Sequence, residues 1–177
     1  MDMVALLCVI AVPLCWFIVR FKKRRVATPE HKCFRLSERD WVLDSSDLGG
    51  KKPSIYVSFK QLHGAPDSVF THKKSSHRRV VAEYKERTFR GRVRYSEYYQ
   101  VIAYIGCLQR KWRRETVTGV LAYRNKVINI DPDDEVFLAL LQMRDEPERI
   151  GVFVNKTPLH KRGVFKRTHV NGYPLVV

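Results

Sequence analysis

Cysteines, histidines and carboxylates are the side chains best suited to metal, nucleophilic or acid–base chemistry. Their spacing in this chain of 177 residues is the first thing to weigh. Cys8, Cys15, Cys33 and Cys107 include no C-x-x-C pair, the spacing that lets two thiolates share one tetrahedral ion. His31 and Cys33 could meet one metal, but nothing nearby in the sequence completes a ligand set. His72 and His77 lie in a basic stretch and are expected to be solvated. No H-E-x-x-H, G-x-S-x-G, Walker loop or G-x-G-x-x-G is present. Four acids crowd together at Asp131, Asp133, Asp134 and Glu135. With Pro132 among them and an apolar run behind them, they read as the capped, dipole-matched start of a helix. They lack the Gly and the distal Glu of an EF-hand loop. The expectation is therefore no metal, no cofactor, no small-molecule substrate and no enzymatic activity.

The basic residues carry more signal. Lys and Arg number 33 against 18 acids, a formal net charge of +15. Between Thr71 and Arg94 there are nine Lys/Arg and two Glu, with Tyr84 and Phe89 interleaved. A second cluster surrounds Trp112, and a third runs from Lys156 to Arg167 without an acid. Arginine forks onto phosphates and stacks on flat rings, and aromatic side chains offer stacking platforms. Arg78, Arg79, Lys85, Arg87, Arg90, Arg92 and Arg94, then Lys111, Arg113 and Arg114, are the expected contacts to an acidic partner. That partner could be an acidic protein, a ribonucleoprotein, an anionic membrane surface or nucleic acid.

The elements must hold these residues in place. Met3 to Val19 is free of charge and would span ~25 Å as a helix, at the short end for crossing a bilayer. Arg20, Lys22, Lys23, Arg24 and Arg25 follow it, and no small-residue cleavage site does. That is the pattern of an uncleaved anchor rather than of a signal peptide. The positive-inside rule then puts the rest of the chain on the cytosolic side of the membrane. Residues 1–25 are expected to be a transmembrane helix with its basic membrane flank, 26–53 a linker, and 54–177 the basic domain.

Within that domain, Ile55, Val57 and Phe59 alternate with polar residues as in a half-buried strand. His63 to Asp67 is turn chemistry, and the polar run from Thr71 to Arg79 predicts an exposed loop. Val80 to Tyr95 predicts one or two strands around Gly91. A helix is expected from Ser96 to the basic end near Arg114, with Tyr98, Ile102 and Ile105 on one face. Thr116–Tyr123 and Val127–Ile130 predict a hairpin. A second helix is expected from its cap at Asp131 to its stop at Glu146-Pro147. A strand at Ile150–Val154 and a last hairpin around Asn171-Gly172 complete the pattern. Strands, helix, hairpin, helix and strands in that order argue an α+β fold. A mainly antiparallel sheet with about two helices is expected.

The run from Tyr98 to Gly106, together with the basic α+β character, resembles rhabdovirus matrix proteins, which bridge a nucleocapsid and a membrane. The likeness covers about ten apolar residues, and no site residue follows from it. The expectation is a membrane-anchored structural or adaptor protein. The alternative is a matrix-like or nucleic-acid-binding protein with an apolar membrane-association segment.

Overall fold

The computed structural model describes residues 29–48, 52–150 and 167–177. The expected transmembrane segment, its basic flank and the expected strand at 150–154 fall outside these residues, apart from Ile150. No described helix is long and apolar enough to cross a membrane.

A short helix α1 (Pro29–Phe34) and a strand β1 (Trp41–Ser46) come first, within the stretch expected to link anchor and domain. The hairpin β2 (Val57–Phe59) and β3 (Leu62–Gly64) follows, then β4 (Ser68–His72), β5 (Ser75–Lys85) and the short β6 (Val93–Arg94). Helix α2 (Tyr95–Lys111) leads to β7 (Thr116–Tyr123) and β8 (Val127–Ile130), then to helix α3 (Asp134–Ile150). The chain closes with β9 (His169–Val170) and β10 (Tyr173–Val176).

The central sheet has the order β1-β4-β5-β7-β8. It is a mixed sheet, mainly antiparallel as expected, with one parallel pairing. β4 and β5 form a hairpin, but β5 and β7 run parallel from Arg78↔Thr116 to Lys85↔Tyr123. The reason is the connection between them: α2 crosses over the sheet and returns the chain in the same direction, which a tight turn cannot do. Parallel pairing recurs in a separate three-stranded sheet of order β6-β10-β9, where β10 pairs with β6.

Strand alternation divides the core in two. Val69, Val81, Val117 and Leu121 face α2 and meet Val101, Ile102, Ile105 and Leu108. Phe70, Val80, Ala82, Val120 and Ala122 face the other way, onto Leu43 and Phe34 of α1. Gly106 lets α3 approach α2: a Cβ there would lie 2.1 Å from the Phe137 ring.

Four further expectations change. The polar run from Thr71 to Arg79 is not a loop but the turn and the outer ends of the β4–β5 hairpin. Ser76, His77 and Arg78 are exposed there, so ladder hydrogen bonds rather than apolar packing hold the strand. His63 and Gly64 belong to β3 rather than to a turn. Helix α3 is capped by Asp133, not Asp131: its Oδ1 accepts the Val136 N–H at 3.1 Å. The helix runs past Pro147 to Ile150. A proline within a helix removes one hydrogen bond and crowds the carbonyl four residues earlier, which disfavours the helix there without forbidding it. The hairpin around Asn171-Gly172 stands as expected, with Tyr173 paired to Val170.

Candidate functional site

β5 ends in the sequence Glu83-Tyr84-Lys85. Period two puts Glu83 and Lys85 on the same side as Val81, under α2, and turns Tyr84 to the opposite face. Gln100 and Tyr104 come down from α2, spaced four apart and therefore on one helical face. Asp67 stands just before β4, next to the end of β5. Glu83, Lys85, Gln100 and Tyr104 form one hydrogen-bonded cluster, and Asp67 borders it.

The contacts are specific. Lys85 Nζ donates to Glu83 Oε1 at 2.9 Å and to Gln100 Oε1 at 2.8 Å. Gln100 Nε2 donates to the same Glu83 Oε1 at 2.7 Å and to the Tyr104 hydroxyl at 3.1 Å. The Tyr104 hydroxyl in turn donates to the carbonyl of Ala65 at 3.1 Å. Asp67 Oδ2 accepts the Tyr84 N–H at 2.6 Å. The Gln100 amide is thus committed at both ends, which fixes its orientation. The second Glu83 oxygen, Oε2, is buried and makes no hydrogen bond.

The electrostatics follow from that placement. Burial pushes the Glu83 carboxyl above its ordinary value; the Lys85 hydrogen bond pulls it down, the charge of Asp67 pushes it up again, and the Lys85 charge and the Asp67 backbone N–H draw it down less strongly. Burial likewise raises Asp67, against the pull of the Tyr84 N–H and Lys85, and nearby Asp47 adds to the rise. Burial also keeps Tyr104 neutral, reinforced by the charges of Glu83, Asp67 and Asp47. Cys33 on α1 has its thiol raised by burial, then by Asp67 and Glu30. A thiol held protonated is a poor nucleophile, so the cluster's chemistry belongs to its oxygens and to Lys85.

The basic residues expected to meet a partner divide into two groups. Arg79, Lys85 and Arg87 are engaged inside the fold. Arg79 is ion-paired with Asp44 at 2.6 Å and with Glu115, and stacks over Trp112. Arg87 grips both oxygens of the buried Glu97, at 3.0 and 2.7 Å. Arg78, Arg90, Arg92, Arg94, Lys111, Arg113 and Arg114 are exposed. Asp133, read as part of a helix start, is buried and accepts bonds from Tyr98 at 2.9 Å and Arg167 at 2.7 Å. Sequence reasoning missed Asp67, Glu83, Gln100 and Tyr104. The available signal was the pair Glu83 and Lys85 on one strand face, followed by Gln100 and Tyr104 on one helix face.

The chain matches no protein-family model, no curated protein and no solved structure.

Proposed function

We propose that the domain is a divalent-cation-dependent hydrolase of phosphodiester bonds in nucleic acid. The carrying observation is Glu83, whose Oε2 is buried with no hydrogen-bond partner and whose carboxyl feels the nearby charge of Asp67. A buried acceptor left open costs about 1–3 kcal/mol, more when charged, and a cation would relieve it. Two neighbouring carboxylates, both raised above their ordinary values by burial, are what such an ion needs.

The donor set suits a hard ion. Among the described residues, no trio of His, Cys, Asp and Glu side chains forms a complete cage. Zinc favours such a cage, whereas magnesium is held by one or two carboxylates and keeps room for water and phosphate. Asp67 and Glu83 would hold the ion. Bound there, it supplies Lewis-acid polarisation and neutralises developing charge. The chain's own part is positional. Gln100 and Glu83 aim the Lys85 ammonium, a fixed positive charge for phosphoryl oxygens as they gain charge. Tyr104, kept neutral, orients Gln100.

The substrate class follows from the charge. A polyanion suits a chain of net charge +15. Exposed Arg90, Arg92 and Arg94 lie on the segment that joins the two site elements, β5 and α2. This reading departs from the expectation of a non-enzymatic adaptor but keeps its anionic partner. For residues 1–25 we propose the single-pass anchor already described, with the domain on the cytosolic side. The apolar run and its one-sided basic flank support it.

The test is direct. Full-length protein in detergent is incubated with labelled DNA and RNA, with and without Mg²⁺ or Mn²⁺. Cleavage should require the ion, stop with chelator, and be lost in Glu83→Gln and Asp67→Asn variants that keep the wild-type circular dichroism. Wild-type protein that cleaves neither nucleic acid with either ion would overturn the reading.

A further inference from the structure

The β2–β3 hairpin has two unlike faces. Its inner face lies on both helices: Phe59 meets Phe137 of α3, and Gly64 lies against the Tyr104 ring of α2. Its outer face carries Tyr56 and His63. The register pairs Ser58 with His63, so Tyr56, two residues before Ser58, is a diagonal neighbour of His63 on that face. The two rings are offset-stacked, with centroids 6.1 Å apart and planes inclined by 27°. Tyr56 is 62% exposed, the most exposed of the large aromatic side chains among the described residues.

A flat aromatic pair on the surface has a special meaning at this position. Extending the register sets Tyr56 opposite Ala65, whose carbonyl receives the Tyr104 hydroxyl. Asp67 is two residues further on, at most ~7 Å along the chain. The stack therefore lies close to Asp67 along the paired chain. Exposed Lys52 and Lys60 supply positive charge on the same segment.

From this juxtaposition we propose that Tyr56 and His63 form a stacking platform for unpaired bases, so that the strand presented to Asp67 and Glu83 is single-stranded. In a duplex each base face is already covered by its neighbour, and only an unpaired or frayed strand has a base to offer. The inference rests on the phosphodiesterase reading for its purpose, but binding can be measured without cleavage.

The experiment uses full-length protein carrying Glu83→Gln, in detergent. Fluorescein-labelled oligo(dT), oligo(U) and a DNA duplex of equal length are the probes, read by anisotropy. Adding Tyr56→Ala should weaken binding of both single strands roughly ten- to a hundredfold and move duplex binding little. Tyr56→Trp should retain single-strand binding, and the exposed position leaves the fold intact. Unchanged single-strand affinity in Tyr56→Ala, or an equal loss on duplex, overturns the platform. The two readings fail separately. Tyr56-dependent binding by a wild-type protein that cuts nothing upholds the platform and sinks the hydrolase. Cleavage indifferent to Tyr56→Ala does the reverse.

Discussion

At Glu83 the two carboxylate oxygens live in different surroundings: Oε1 takes hydrogen bonds from Lys85 and Gln100, and Oε2 takes none. Glu97, also buried, is the useful contrast. Burial pushes its carboxyl up, but bonds from Arg87, Tyr123 and the Arg94 N–H outweigh that and hold it below the ordinary value. The linkage signs are therefore opposite. Glu97 contributes stability above its unfolded-state value that is lost as the pH falls through its lowered folded value. Glu83 favours the fold when protonated, and that contribution is lost as the pH rises from its unfolded-state value through its raised folded value. Replacing Glu83 by Gln removes only the second effect. The melting temperature of Glu83→Gln, relative to wild type, should thus climb with pH across and just above the carboxylate range. Added Mg²⁺ should narrow that gap at neutral pH by stabilising wild type alone. A gap that does not vary with pH would mean Glu83 is ordinary in its titration. The sequence displays Glu83 and Lys85 two apart, yet as one of nine basic residues between Thr71 and Arg94 the lysine is easily taken for one more surface charge. What separates it from Arg90 or Arg92 is burial, which depends on a helix arriving from elsewhere.

Elements decide where the cluster can exist. α2 supplies Gln100 and Tyr104, and the β2–β3 hairpin supplies the Ala65 carbonyl that steadies Tyr104. Gly64 is the joint between them: a Cβ there would lie 2.8 Å from the Tyr104 ring, a distance real side chains do not tolerate. Gly64→Ala should push the ring aside and break the chain of bonds from Ala65 through Tyr104 to Gln100. Overpacking of this kind costs about 1–3 kcal/mol of stability. Displacing a positioned group by about an ångström costs on the order of a hundredfold in rate. Cleavage should therefore fall much further than the melting temperature does. Equal activity in Gly64→Ala would show that the hairpin does not steady the site. Periodicity made α2 and the β7–β8 hairpin legible, because their apolar residues recur at one spacing. It failed for the outer ends of β4 and β5, which lie beyond the reach of the covering helix and so carry no apolar pattern. It also misplaced the α3 cap, since one acid in a row of them looks like any other until Asp133 is seen buried against Tyr98 and Arg167.

For the whole molecule, the net charge and the one-sided basic flank are visible in composition alone, whereas the parallel pairing of β5 and β7 is not. No local signal separates a crossover helix from one that merely follows a hairpin. The proposed anchor is a property of the entire chain. An apolar spanning helix is not held by charge, so the protein should stay with membranes through alkaline carbonate and leave them only in detergent. Release by carbonate would place residues 1–25 at the interface or against the protein instead. The parallel pair has a consequence in time. Every side chain of the cluster lies between Asp67 and Tyr104, but β5 is bordered on one side by β7, which begins at Thr116. On a chain made from its N-terminus, the chemical groups emerge first and the strand that supports them emerges later. The contacts that hold the site are long-range, so its assembly waits on loop closure rather than on local helix formation. The chemistry is encoded in one short stretch, and the moment at which it can begin is set by another.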